Sequence, residues 1–397
     1  MQAQELAAPL QGLKVADFSQ GVAGPHCAML LGEHGADVTK IEPLEGEWGR
    51  IIGRRHSDFC ADALAFNRGK RSLALDLKSP QARQLAFEIA CEADVVIESF
   101  RPGVMARFGL DHAALAKVNP RGVYLSITGF GQNGPRRDLP STDLVIQSFS
   151  GLMSVNRDGQ GRPQRLGIII VDVVSGVYAC QAALGAIMRQ QRFGQGAFID
   201  CNLMQCAAAF QSAKLIEQHL EGGPPPMPFT PVGVMETRDG YVSVAVRSDE
   251  QFNGWCRETA RHDLAHDPRF ATMALRNQHE SQLMPLVRQE FRKRTCAQWV
   301  ELLTRVGAHN SPVMTHADFL ADAQVAAMNA VSWVEQDGVG RLPLANVPGL
   351  PPIGGRGSRD QSPHVGQHTV EILRERGLEG QAIETLLAQG AIAQYQA

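Results

Sequence analysis

At 397 residues, with 44% hydrophobic and 20% charged side chains and a net charge of −3, the chain has the composition of an ordinary globular protein long enough for two cores. That charge gives no basic field of the kind a dedicated nucleic-acid binder needs. The eight cysteines are scattered without Cys-x-x-Cys pairs or matching histidines, which speaks against both a zinc site and a disulfide framework. The first residues lack the basic-then-apolar order of a signal peptide, and no run reaches the ~18 apolar residues of a membrane span. A cytoplasmic protein with no membrane partner is the expectation.

Residues 13–18 read as a strand, followed by a Gly/Pro loop at 19–25, a helix to about His34 and a second strand at 36–42, together a βαβ unit. The loop, Gly21-Val22-Ala23-Gly24-Pro25, is not the Gly-x-Gly-x-x-Gly of nicotinamide-binding folds, although Glu42 stands where such a fold carries its ribose-binding acid. Its tight turn still brings backbone N–H groups to a helix start, a good place for an anion or a carbonyl oxygen. A Gly/Pro-rich loop over 43–63, a basic turn and short strand within 65–78 and a helix over 79–92 come next. A strand at 93–97, the turn 98–103, a helix near 104–108 and a strand at 123–127 continue the alternation, which implies a doubly wound, mostly parallel α/β sheet. In such sheets ligands bind beyond the carboxyl ends of the strands. The turns there carry Arg68, Lys70, Arg71, Lys78 and Arg101, with Arg107 just beyond. Lys and Arg are ordinarily solvated surface charges, but their recurrence after successive strands points to a phosphate-bearing ligand.

A glycine-rich loop follows, with Gly129, Gly131 and Gly134 spaced to make it mobile. Residues 143–155 read as a helix, 197–201 as a strand and 203–220 as a helix. The proline-rich stretch 221–228 marks a boundary. The organisation expected is a large domain over 10–222, a small α+β domain over 223–335 and a linker and C-terminal part over 336–397.

Asp172 is a carboxylate inside an otherwise apolar run. Residues 166–171 resemble a buried strand or core segment, and helical spacing begins at Val173, so Asp172 falls in the first turn of a buried helix. There it would accept backbone N–H bonds and stay ionised. Two roles fit that position: an N-cap, or a nucleophile in a dry site with backbone N–H groups for an oxyanion.

Taken together, the motifs resemble the class III coenzyme A transferases, the family of formyl-CoA:oxalate CoA-transferase and, as a relative, α-methylacyl-CoA racemase. The resemblance rests on Gly24-Pro25 with Gly35-Ala36-Asp37-Val38-x-Lys40-Ile41-Glu42, on Asn67-x-x-Lys70-x-Ser72-x-x-Leu75-Asp76-Leu77-Lys78, and on Phe100-x-Pro102-Gly103. It continues through Gly129-Phe130-Gly131-Gln132-x-Gly134-Pro135, Gly167-x-x-x-x-Asp172 and Asp267-Pro268-Arg269-Phe270. The resemblance implies a large domain built from both chain ends and two subunits interlocked as a homodimer. It also implies a nucleophile at Asp172, and coenzyme A contacts at Leu75, Leu77, Lys78, Ser99, Phe100, Arg107 and the backbone of Val22 and Ala23.

The implied reaction moves coenzyme A from an acyl-CoA donor such as succinyl-CoA to a small carboxylic or dicarboxylic acid, through aspartyl anhydride and aspartyl-CoA thioester intermediates. Coenzyme A is then a substrate, with no separate cofactor and no metal. The loop of Gly129, Gly131 and Gly134 would cover the intermediate, and Arg165 and Arg247 are candidates for a second carboxylate. Val22 replaces the glutamine of formyl-CoA transferase, and Val246-Arg247-Ser248-Asp249 replaces its glycine run, which argues against formyl-CoA and oxalate. Thr142 replaces the histidine that precedes the racemase's aspartate, here Asp143, so transfer is favoured over racemisation, which remains the alternative. A nicotinamide dehydrogenase and an inert scaffold are more distant readings.

Overall fold

Six strands, β1 (Lys14–Asp17), β2 (Asp37–Glu42), β3 (Arg71–Leu75), β4 (Val95–Glu98), β5 (Val123–Thr128) and β6 (Ala197–Asn202), pair in parallel in the order 3-2-1-4-5-6. The short strand Ile392–Ala393 adds antiparallel to β3 and makes a seven-stranded, mostly parallel sheet. These are the structural elements of a computed structural model that describes residues 8–223 and 228–396. Residues 224–227, the core of the proline-rich boundary stretch, and residues 1–7 lie outside the described residues.

Connecting the strands are α1 (Ala23–Glu33), α2 (Ala61–Phe66), α3 (Pro80–Glu92), α4 (Val104–Phe108), α5 (His112–Leu115), α6 (Asp143–Phe149), α7 (Leu152–Val155), α8 (Ile170–Phe193) and α9 (Leu203–Phe210). Because side chains alternate along a strand, Val95 and Ile97 of β4 enter one apolar cluster with α1, α8 and α9, whereas Val96 enters another with α3 and α4. Both faces of the sheet are thus covered, which explains why its strands read as apolar runs. The helix expected over 143–155 is two helices, broken where Gly151 adopts φ 84°.

Two expectations are corrected here. Residues 166–169 form no buried strand: they make an irregular strap, on which Ile168 is 60% exposed. The α8 helix, by length and composition, is apolar enough to cross a membrane, contrary to the reading that no such stretch exists. Here Val171, Ala179, Ala183 and Ile187 of α8 pack into the sheet's own core.

The chain divides into two compact units, one of residues up to Leu215 with Ala327 onward, the other Ile216–Ala326. In the second, β7 (Val232–Glu236), β8 (Tyr241–Ala245) and β9 (His309–Pro312) form an antiparallel sheet. Its core stacks Phe291 on Trp299 with ring centroids 4.1 Å apart.

Candidate active site

Two loops meet at the carboxyl end of the sheet, where the strand order reverses between β1 and β4. The Gln20 N–H, in the loop after β1, donates to Ser99 Oγ after β4 at 2.8 Å, and the Ser99 hydroxyl donates back to the Gln20 carbonyl at 3.2 Å. Gly21 adopts φ 79°, and a Cβ there would come within 2.5 Å of the Trp48 indole, so the turn requires glycine. Beneath the loop, Lys40 donates to the Ser19 carbonyl, while Lys70 donates to the Pro25 carbonyl and pairs with Asp17, both at 2.8 Å. Both ends of the turn are therefore fixed by buried ammonium groups. The N–H groups of Val22, Ala23 and Gly24 at the start of α1 have no acceptor among the described residues. They point out of the positive end of a helix dipole, a ready position for an oxyanion.

Beside this turn opens a cavity of about 400 Å³ whose walls include Phe18, Gln20, Leu75, Leu77, Lys78 and Phe100. Four of the coenzyme A contacts expected from sequence, Leu75, Leu77, Lys78 and Phe100, thus share one wall. Ser99 lies alongside as the tether of Gln20. Arg107 is on α4 next to Phe108, which lines the cavity, and is not itself part of the lining.

Three other basic residues do not serve a phosphate. Lys70 is buried against Asp17, Arg68 pairs with Glu33 at 2.8 Å, and Arg71 pairs with Glu371 at 3.1 Å and Glu375 at 2.7 Å. Glu42 is likewise no ribose acid, because Arg50 engages both its oxygens at 2.7 and 2.8 Å and its carboxylate is buried. Charges withdrawn from water are retained only where a counter-charge meets them.

Asp172 lies, half-buried, in the first turn of α8. It does not cap that helix. The N–H groups of Val171 and Asp172 donate to Asp143 Oδ2 at 2.7 and 3.3 Å, so the cap comes from the start of α6, and the Asp172 carboxyl has no hydrogen-bond partner among the described residues. Gln147, one turn along α6, donates to Asp143 Oδ1 at 2.5 Å and accepts from the Leu166 N–H at 3.0 Å, laying the strap against α6. Burial, then the Asp143 and Asp62 carboxylates, push the Asp172 carboxyl up to about 7, where capping would have held it low. The start of α1 meets the same turn of α8, since His26 Nδ1 lies 3.1 Å from the Val173 carbonyl. The first turns of α1 and α8 are therefore packed against each other through His26 and Val173.

The glycine loop is tied at its stem. Gly131 N–H donates to Thr128 Oγ1 at 3.0 Å, Gln132 N–H to Asp200 Oδ2 at 2.9 Å and Gln132 Nε2 to Ser126 Oγ at 2.8 Å. Gly129 leaves room for Ser141, whose hydroxyl a Cβ would meet at 1.7 Å, while Gly134 adopts φ 91° in open space. Phe130 anchors the loop in the cluster that contains Val171. Arg165 is exposed on the strap and has no ion-pair partner among the described residues. Arg247 belongs to the second unit, where its guanidinium sits 5.7 Å from the Phe229 ring centre. Sequence reasoning passed over His26, Asp62 and Gln147, and used Asp143 only to place Thr142. The available signals were the polar pair Asp143 and Gln147 at helical spacing on α6 and the glycine at 176, one turn beyond Asp172.

Residues 10–369 match the model of CoA-transferase family III. The chain belongs to that family. The chain is similar to an acyl-CoA transferase of Fusarium pseudograminearum, 32% identical over 96% of this chain and 88% of that one. It is also similar to the succinyl-CoA:glutarate CoA-transferase of Mus musculus, 31% identical over 98% and 91% of the two chains. Among solved structures, a CAIB/BAIF family protein from Brucella suis superposes with a TM-score of 0.84 at 30% identity, covering 93% of this chain and all of that one, 100%. This family III CoA-transferase is thus an enzyme that moves coenzyme A between carboxylic acids.

Proposed function

We propose that Asp172 is the covalent carrier of the exchange. Its carboxylate attacks the thioester carbonyl of the donor acyl-CoA, forming a mixed aspartyl anhydride and releasing coenzyme A thiolate. The thiolate then attacks the aspartyl carbonyl, which breaks the anhydride, frees the donor acid and leaves an aspartyl-CoA thioester. The acceptor carboxylate attacks that thioester, expelling the thiolate and forming a second aspartyl anhydride, and the thiolate then attacks the acceptor's carbonyl, which gives the product thioester and frees the Asp172 carboxylate. One thioester is exchanged for another, so the sequence of steps calls for no cofactor and no metal.

The observation that carries this reading is an Asp172 carboxyl left without a hydrogen-bond partner among the described residues, in the turn of α8 that packs on the start of α1 through His26, where burial and like charges raise it. A carboxylate that is a stronger base is a stronger nucleophile, and the N–H groups of Val22 to Gly24 suit the oxyanion of each tetrahedral intermediate. The cavity of Leu75, Leu77, Lys78 and Phe100 would take the coenzyme, with Arg107 at its rim on the phosphates. The glycine loop would keep water from the anhydride. Succinyl-CoA is the donor we favour and a dicarboxylic acid the acceptor, with either Arg165 or Arg247 as the reader of its second carboxylate.

The working unit would be an interlocked homodimer in the cytoplasm. Leu144 and Phe149 on α6, Val177 and Met188 on α8 and Phe210 on α9 are large apolar side chains left exposed in one chain, and all eight cysteines are free thiols. The test incubates the protein with succinyl-CoA and a panel of small acids and follows new thioesters by mass. New thioesters support transfer. Deuterium entering the α-carbon of a branched acyl-CoA, without exchange, would move the assignment to the racemase.

A further inference from the structure

Asp172 and Gly176 are four residues apart on α8 and so share one face of the helix. Gly176 is where His26 presses in: a Cβ there would lie 2.6 Å from His26 Nδ1 and 2.8 Å from its Cβ. The imidazole of α1 therefore occupies the face of α8 one turn beyond Asp172. Its Nδ1 meets the Val173 carbonyl at 3.1 Å, and a carbonyl only accepts, so Nδ1 carries the proton and Nε2 the lone pair. Burial, reinforced by Arg68 and Lys70, drops the ring to about 4, so it is neutral in use. Nε2 has no partner among the described residues and is not sealed from solvent.

The imidazole also packs on Phe66, with ring centroids 4.9 Å apart. Phe66 ends α2, and Asp62 lies four residues earlier on the same face of that short helix. The Asp62 carboxyl adds, after Asp143, to the rise of Asp172, and burial raises its own. His26 thus bridges two helix faces, the one that carries Asp172 with Gly176 and the one that carries Asp62 with Phe66. What this wall offers a bound acyl group is an imidazole lone pair and a carboxyl group. Both accept hydrogen bonds. A second carboxylate placed there would be repelled, and a bare hydrocarbon would leave Nε2 dry and unpaired.

We infer that His26 and Asp62 select acids bearing a hydroxyl beside the reacting carboxylate, an inference that rests on Asp172 being the carrier. His26 is the specificity residue of the pair, because its tautomer is fixed by the backbone of the helix that holds the nucleophile.

The test compares kcat/KM for acceptor pairs that differ by one hydroxyl, lactate with propionate, malate with succinate and 2-hydroxyglutarate with glutarate, using succinyl-CoA as donor. The wild type should favour the hydroxylated member of at least one pair by about tenfold. His26→Phe keeps a ring against Phe66 and removes the lone pair, and it should erase that preference through a loss about tenfold greater on the hydroxylated acid than on its partner. His26→Asn retains a donor for the Val173 carbonyl and serves where the phenylalanine variant fails to fold; it too should lose the preference. Equal losses on both members of each pair, or a wild type with no preference, would overturn the inference and leave transfer standing. A wild type that makes no new thioester with any acid would overturn the underlying reading, and the inference with it.

Discussion

Asp17 and Asp172 are the same side chain in two surroundings, and those surroundings drive them in opposite directions. Asp17 is wholly buried, which alone would raise its carboxyl, but Lys40 and Lys70 outweigh burial and hold it below the ordinary carboxylate range. Asp172 is only half-buried, yet it faces burial and two carboxylates with no cation to offset them, and it rises to about 7. Depth does not make a carboxylate reactive; the sign of its neighbours does. The first aspartate is spent on holding the loop, and the second stays available for chemistry.

The sharpest way to break this comparison is to remove each carboxylate. Asp172→Ala should retain the fold and lower transfer by about a thousandfold or more, read as thioester exchange with succinyl-CoA. Asp17→Ala should do the reverse, destabilising by about 3–5 kcal/mol in denaturant unfolding because two buried ammonium groups lose their counter-charge. Comparable stability losses in both variants would mean that the two sites do not differ in kind.

A second pair of changes sharpens the electrostatic half. With Asp172 titrating near 7, kcat/KM should fall as the pH drops through that value, since the protonated carboxyl is no nucleophile. Asp143→Asn keeps an oxygen for the Val171 N–H and removes a negative charge, so the acid limb should move to lower pH by about one unit. Asp62→Asn should move it in the same direction by less, because Asp62 is the smaller contribution. A limb that stays put in both would contradict the like-charge cause.

The linkage signs also differ. The lowered Asp17 stabilises the fold above its unfolded value and loses that contribution as the pH falls through the folded value. For the raised Asp172 the folded state holds the proton more tightly than the unfolded chain does, so stability declines as the pH rises from the ordinary carboxylate value to about 7. Asp172→Ala should therefore melt higher than the wild type at pH 8 and show no such advantage near pH 4, measured by calorimetry. The smallest effect belongs to the arginines: Arg165→Ala or Arg247→Ala should raise KM about fivefold for a diacid and leave a monoacid unchanged.

How legible all this was in the sequence depended on distance along the chain. The six parallel strands could be read because burial on both faces makes each a continuous apolar run, and Asp172 stood out because a charge interrupts such a run. Its neighbours could not be read. Asp143, which takes the capping role assigned to Asp172, comes from another helix, 29 positions earlier. Lys70 and Arg68 looked like phosphate ligands because Asp17 and Glu33, which neutralise them, lie far away in sequence. Residues 166–169 imitated a strand because an apolar strap held by Gln147 has the same composition as one. The resemblance to a membrane span in α8 has a related origin, since a helix laid along a sheet's core is rich in small and apolar residues.

The most direct test of Asp172 as carrier is the mass of the protein after brief exposure to donor thioester with no acceptor acid, followed by peptide mapping. The account predicts an increment equal to coenzyme A, less water, on the peptide containing Asp172, absent from Asp172→Ala and discharged by added acceptor acid. An exchange-competent protein that never carries this increment, or carries it elsewhere, would contradict the account.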